Sequence, residues 1–493
     1  MRRAGILMHP SSLPGPGPCG DLGEGATAFL DWMRQAGLSL WQTLPLHPTG
    51  GGFSPYSSPS AFAGATYLVS LDKLRRDGLL SQEEIGRPPW SPKCSPELLE
   101  SWKTPLIGKA AERLANEDPG GIAAWADSHP WSRDWALYSA LRKEHGADGW
   151  QGFPKSLASR RAAALRKARE KHRKEINKEL AAQKLFHDQW EEVRTAAADR
   201  GISIVGDMPI FISADGADTW THRKLFRLDK NGFPDPLSGA PPDAFSEMGQ
   251  HWGNPHYKWS THKREGFSWW VARLEAELRL ADHVRIDHFR GFCAAWEIPR
   301  SADGDARQGS WGQTPGNLLF QAAEKALGNL PFIAEDLGHI TPDVDELRES
   351  FDLMGMKVLQ FAFGEYTHKY LPHSYDSSNY TCYTGTHDND TTIGWYHASD
   401  EVTRHRYRVY AGRSGTEPHW DLIRMAWSSV AKWAIAPMQD VLGLGGEARM
   451  NKPGDSSGNW LWRAPSLPQP EATRIRHLTE AYGRLPEQQE GAD

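Results

Sequence analysis

Cysteine is scarce. The 493 residues hold four, Cys19, Cys94, Cys293 and Cys382, with no CxxC pair and no metal-ligand spacing. A disulfide-built scaffold and a cysteine-ligated metal site are excluded, and a reduced, cytoplasmic protein is the expectation. Long apolar runs are absent too. No window approaches the roughly 20 residues that a membrane-spanning helix needs. The start, Met1-Arg-Arg-Ala-Gly-Ile-Leu-Met8, is basic, but its apolar run is too short for a signal peptide before His9-Pro10. Charge of one sign is not in excess either. A net charge of −6 gives no reason to expect nucleic acid or an anionic membrane as partner. Finally, no glycine-rich phosphate loop follows the first strand candidate, which argues against a nucleotide-binding open sheet.

Tryptophan, by contrast, is abundant at 22 residues. Its flat apolar face and single N–H donor suit stacking on sugar rings, although much of it must form core. Short apolar runs alternate with helical patterns along most of the chain. Strand candidates lie near residues 4, 39, 202, 283, 331, 356, 379 and 434. Helical periodicity marks 24–36, 133–145, 158–198, 267–280, 315–327, 342–350, 400–410, 418–432 and 471–482. Alternation argues for a parallel sheet, and eight strands argue for a (β/α)8 TIM barrel, with a doubly wound open sheet as the alternative.

Two stretches depart from the alternation. Residues 65–198 read as a mostly helical insertion between strands two and three. Its basic part, Arg160 to Lys178, reads as a solvated helix with acid–base pairs three or four residues apart. Residues 213–262 are rich in Asp, Gly, Pro and Trp and weakly periodic, as a lid or binding loop would be. The expected organisation is therefore one catalytic barrel over residues 1–493, interrupted twice, with no C-terminal β-sandwich.

Chemistry concentrates where apolar runs end. His283-Val-Arg285-Ile-Asp287-His288 puts Arg285 and Asp287 two apart, on one face of a strand. A guanidinium beside a carboxylate keeps it ionised. Pro331-Phe-Ile-Ala-Glu335-Asp336 and Tyr380-Thr-Cys-Tyr-Thr-Gly-Thr386-His387-Asp388 end likewise in acids, and Asp207 ends the third strand candidate. On a barrel these acids converge on the face at the strands' carboxyl ends. Metal binding is one use for such a cluster, but Arg285 competes there with a cation, so no metal and no cofactor are expected. Glycosyl transfer is the better fit. A retaining mechanism needs an ionised carboxylate and a protonated one, about 5–5.5 Å apart. The residues alone do not say which acid is the nucleophile.

Arg285-Ile-Asp-His-Phe-Arg-Gly-Phe292, Ala334-Glu-Asp-Leu-Gly338 and Thr386-His-Asp-Asn-Asp390 resemble the signature regions of the α-amylase clan. More narrowly, Gly206-Asp-Met-Pro-Ile-Phe211, Ser54-Pro-Tyr56, Gly249-Gln-His-Trp-Gly-Asn-Pro255, Ala448-Arg-Met-Asn451 and Gly458-Asn-Trp-Leu-Trp-Arg463 resemble the amylomaltases, bacterial 4-α-glucanotransferases. The resemblance implies Asp287 as nucleophile, Glu335 as general acid and base, and Asp388 as transition-state stabiliser. It implies that Arg285 orients Asp287, and that Tyr56, Asp207 and His387 contact the sugar at the cleavage point. Gln250 and Trp252 would belong to a lid over the acceptor sites, with Asn451 and Asn459 as further substrate-binding residues. The implied substrates are α-1,4-glucans and maltooligosaccharides. A hydrolase of the same clan and a non-catalytic glucan-binding protein are the alternatives.

Overall fold

The structure, a computed structural model, describes residues 2–146, 149–242, 247–364, 368–455 and 457–486. In chain order its strands are β1 Arg3–Leu7, β2 Leu40–Gln42, β3 Ser203–Met208, β4 Leu237–Ala240, β5 Gln250–Pro255 and β6 His283–Ile286. They continue with β7 Ala294–Ile298, β8 Ser310–Gln313, β9 Phe332–Ala334, β10 Gly355–Val358, β11 Tyr380–Tyr383 and β12 Trp433–Pro437.

All eight expected strands join one parallel sheet, in the order β10-β11-β12-β1-β2-β3-β6-β9. They are short and buried along nearly their whole length, as strands covered on both faces must be. The sheet curls into an eight-stranded barrel that is nearly closed. At the seam β9 and β10 meet only through the bridge Ile333–Met354, where Ala334 N–H donates to Met354 O at 2.7 Å. The strand expected near residue 356 ends at Val358, because Leu359–Ala362 turns as a 3-10 helix.

Helices pack outside the barrel. Glu24–Gln35, Ser268–Leu280, Gly316–Leu327 and Pro342–Ser350 fall within a residue of their expected bounds. Between β2 and β3 the described elements are all helical. The run expected over 158–198 divides at His172 into Ala162–Lys171 and Arg173–Ala198. The second of these turns Trp190 onto Trp41 of β2, with its indole N–H on Leu280 O at 2.8 Å. The basic residues find acids across helices: Arg160 and Arg169 both reach Asp134, and Lys143 reaches Glu175 at 3.1 Å.

A second sheet was not expected. Strands β4, β5, β7 and β8 pair antiparallel in the order β5-β4-β7-β8, over the weakly periodic loop after β3 and the segment after β6. Three of the four contain glycine and buried, half-buried and exposed positions are mixed without a clean alternation, so cross-strand pairing rather than local pattern holds them. Cysteine also departs from expectation. Cys19 and Cys94 form a disulfide, while Cys293 and Cys382 are free. Ser95 N–H donates to Pro18 O at 3.0 Å and Cys94 N–H to Leu461 O at 2.8 Å, which lays these two loops side by side. Cysteines 75 residues apart carry no local signature of such a meeting. The inference of a wholly reduced protein therefore does not hold. Among the described residues no helix is long and apolar enough to cross a membrane.

Candidate active site

Ladder register sets the first contacts. Asp207 of β3 lies opposite Arg285 of β6, and Ile286 of β6 lies opposite Ala334 of β9. Asp287 and Glu335 thus each emerge one residue beyond a paired position, on neighbouring strands at the carboxyl-terminal face. Asp287 N–H is still held by Met208 O at 2.9 Å, and Glu335 N–H by Ile286 O at 3.0 Å.

Arg285 is the electrostatic centre. Its side chain is 3% exposed. One Nη donates to both carboxylate oxygens of Asp207, each at 2.8 Å, and the other to Asp287 Oδ1 at 2.8 Å. Asp207 also accepts from the Tyr56 hydroxyl at 2.9 Å. One planar fork thus binds two acids, which a lysine's point charge does not match. Burial pushes the Asp207 carboxyl up, and the Arg285 fork pulls it back. The same two carboxylates hold the Arg285 guanidinium well above its ordinary value, against the cost of burial.

Among the described residues no cation pairs with Glu335. His288 N–H donates to Oε2 at 2.7 Å and Leu337 N–H to Oε1 at 3.0 Å. His288 aims that N–H from a left-handed conformation, φ 51°. Burial first, and then the charge of Asp287, push the Glu335 carboxyl up to about 8. Two neighbouring, half-buried carboxyl groups thus stand in different environments, one gripped by a guanidinium and one held by backbone N–H groups alone. Such a pair divides naturally into base and acid.

Asp388 completes the set. Asn451 Nδ2 donates to its Oδ1 at 2.6 Å and His387 Nε2 lies 3.3 Å from its Oδ2. Burial lowers the His387 imidazole, opposed by the Asp388 charge. The Tyr56 ring stacks on His387 with centroids 5.1 Å apart, and Trp460 packs at 5.5 Å from Tyr56 and 5.8 Å from His387. This aromatic wall adjoins the acids. Gln250 and Trp252 sit on β5, joined by an indole N–H to Gln250 Oε1 bond of 3.0 Å. Trp252 meets the His288 ring edge-to-face at 4.8 Å, so this sheet leans on the residue that follows Asp287. Asn459 does not join the cluster. Its amide group bonds the backbone of Lys452 and Asp455 and holds its own loop.

Several contributors were not singled out from the sequence. His288 works through its backbone, which no residue pattern reveals. Trp460 was one indole among 22. Asp440, in the short helix Met438–Val441 that follows β12, binds Thr384 Oγ1 at 2.6 Å, Thr392 N–H at 2.6 Å and Thr392 Oγ1 at 2.7 Å, bracketing the loop that carries Asp388. It carries the same signal as the other strand-end acids but has no Arg or His beside it. Among the described residues no group of three or more His, Cys, Asp or Glu side chains is arranged to hold a metal ion.

Residues 8–468 match the model of the 4-alpha-glucanotransferase family. The 4-alpha-glucanotransferase of Thermus thermophilus is 45% identical over 98% of this chain and 99% of that one. The chloroplastic/amyloplastic 4-alpha-glucanotransferase of Arabidopsis thaliana is 43% identical over 98% of this chain and 86% of that one. The solved structure of amylomaltase from Streptococcus agalactiae in complex with acarbose superposes with a TM-score of 0.94 at 34% identity, covering 99% of this chain and 100% of that one. The chain belongs to the 4-alpha-glucanotransferase family.

Proposed function

We propose that this protein transfers α-1,4-glucan segments to the 4-hydroxyl of glucose or another glucan by a retaining double displacement. The observation that carries the mechanism is the contrast between Asp287, bound to a permanent cation, and Glu335, half-buried and held by two backbone N–H groups. In the first step the Asp287 carboxylate attacks the anomeric carbon while the Glu335 proton passes to the departing glycosidic oxygen. The leaving chain gains a free 4-hydroxyl and a β-linked glycosyl-Asp287 remains. In the second step Glu335, now a carboxylate, takes the proton from an acceptor 4-hydroxyl, whose oxygen displaces Asp287 and restores the α-bond.

The remaining residues take supporting roles in this reading. Asp388 bonds sugar hydroxyls more strongly in the oxocarbenium-like transition state, and Asn451 holds it in place. Asp207, Tyr56 and His387 surround the sugar at the cleavage point. Gln250 and Trp252 cover the acceptor side, and Asn459 holds the backbone of Lys452 and Asp455. A covered site shields the glycosyl intermediate from water, which favours transfer over hydrolysis. The barrel with its two interruptions acts as one catalytic unit on α-1,4-glucans of the starch or glycogen type and on maltooligosaccharides.

Trapping the intermediate tests this reading. A Glu335→Gln variant mixed with α-maltosyl fluoride forms the intermediate without needing a proton donor, but lacks the base for the second step. After acid quench and proteolysis, mass spectrometry is expected to find the sugar on the peptide containing Asp287. A modified peptide elsewhere, or none, contradicts it.

A further inference from the structure

The barrel has one weak junction, and it adjoins Glu335. Every neighbouring strand pair forms a ladder except β9 and β10, where the ladder ends at the Ile333–Met354 bridge. Beyond that bridge the peptide of Glu335 is tied only to the β6 side. Its N–H donates to Ile286 O at 3.0 Å, and its carbonyl accepts from Phe289 N–H at 3.1 Å. On the other side the next N–H of β10, that of Met356, finds no strand. It donates instead to a side chain, Asp336 Oδ1, at 2.7 Å.

Asp336 is built into that place. It is buried, and Arg348 from the helix Pro342–Ser350 lies 3.4 Å from its Oδ2. Arg348 in turn lies over the ring of Tyr380 at 5.3 Å, and Lys357 lies over the same ring at 4.1 Å. A Cβ at Gly355 would stand 2.6 Å from Asp336 Oδ2, so β10 leaves room for this carboxylate. Successive side chains along an extended chain face opposite ways. Glu335 therefore points into the site, while Asp336 points outward to the seam and the helix.

We propose that Asp336 is a positioning residue for the transfer reaction: its carboxylate replaces the missing β9–β10 ladder bond and fixes the peptide from which Glu335 projects. The inference rests on the reading of Glu335 as proton donor. Asp336 touches no reacting atom. It acts by holding the carboxyl group of Glu335 at the distance at which proton transfer to the glycosidic oxygen is efficient. A displacement of about 1 Å in such a group costs on the order of a hundredfold in rate.

Two donors separate positioning from general damage. Maltotriose needs a proton on its leaving group; α-maltosyl fluoride, which leaves as fluoride, does not. For Asp336→Ala we expect kcat on maltotriose to fall about a hundredfold with KM within about twofold, while first-turnover fluoride release falls only a few-fold. Asp336→Asn keeps an oxygen for the Met356 N–H and is expected to recover to within about tenfold of the parent. Glu335→Gln serves as control and is expected to show the same donor contrast in stronger form. Equal loss on both donors for Asp336→Ala, or maltotriose activity within threefold of the parent, overturns the inference. Absence of the contrast in Glu335→Gln overturns instead the reading of Glu335, and the inference with it. Should Asp336→Ala not fold, Asp336→Glu, which moves the carboxylate by one methylene, is expected to show a smaller contrast, and equal loss on both donors again overturns the proposal.

Discussion

Replacing Arg285 with methionine keeps length and apolar stem but removes the cation that two acids share. Three hydrogen bonds of 2.8 Å vanish, two to Asp207 and one to Asp287. Asp207 is wholly enclosed, so without the guanidinium it takes up a proton, whereas Asp287, whose side chain is 29% exposed, remains beside it without a counter-ion. Breaking a buried ion pair from one side costs about 3–5 kcal/mol. If that loss falls on the state in which Asp287 is ionised and aimed, the rate falls by about two to four powers of ten, at about 1.4 kcal/mol for each. Arg285→Lys keeps the charge but not the fork, so we expect an intermediate loss, with neither acid fully held. The assay is glucose release from maltotriose, paired with thermal unfolding to correct for folded protein. A folded Arg285→Met variant that keeps more than about a tenth of the parent's kcat/KM would refute the electrostatic argument, since that leaves under 1.4 kcal/mol for the whole fork.

Other expectations follow from the same geometry. With Glu335 at about 8, transfer activity should fall on the alkaline side as that proton is lost. The linked stability has a definite sign. The folded-state value is raised above the ordinary 4.5, so the stabilising contribution of Glu335 is fully present below 4.5 and is lost as pH rises through about 8. Glu335→Gln should therefore gain melting temperature relative to the parent at pH 8 and lose that gain towards pH 4.5. Asn451→Ala removes the 2.6 Å bond to Asp388 Oδ1 and should lower kcat about tenfold with little change in melting temperature, as measured by glucose release and calorimetry. Removing 249–258 takes away Trp252 and its contact with His288, and should raise hydrolysis relative to transfer; an unchanged ratio of new reducing ends to new glycosidic bonds contradicts a water-excluding lid.

The barrel strands were legible because each is a short buried run, and four of them carry or lead into an acid, Asp207, Asp287, Glu335 or Asp388. Helix Pro342–Ser350 was legible to the residue, since Pro342 starts it and the apolar spacing ends near Phe351. The β4-β5-β7-β8 sheet was not. Leu237-Ser-Gly-Ala240 and Ser310-Trp-Gly-Gln313 have no period of their own and exist through one another. The same holds within the site. Arg285 and Asp287 are two apart in sequence, so their contact follows from strand geometry, but the second grip of Arg285 on Asp207 comes from β3, 78 residues earlier. His288 serves through a backbone N–H, and the Asp336 bond to Met356 spans the seam where β9 and β10 meet through a single bridge and form no ladder. Side-chain chemistry is written in the residues; contacts between distant backbones are not. The disulfide Cys19–Cys94 is the same lesson in covalent form.

The central claim is transfer rather than hydrolysis, and pure maltotriose in water tests it most directly. Products are followed by chromatography while reducing ends are counted. Transfer yields a ladder of longer maltooligosaccharides together with free glucose, at a constant total of reducing ends. A rise in reducing ends with only glucose and maltose formed would contradict it.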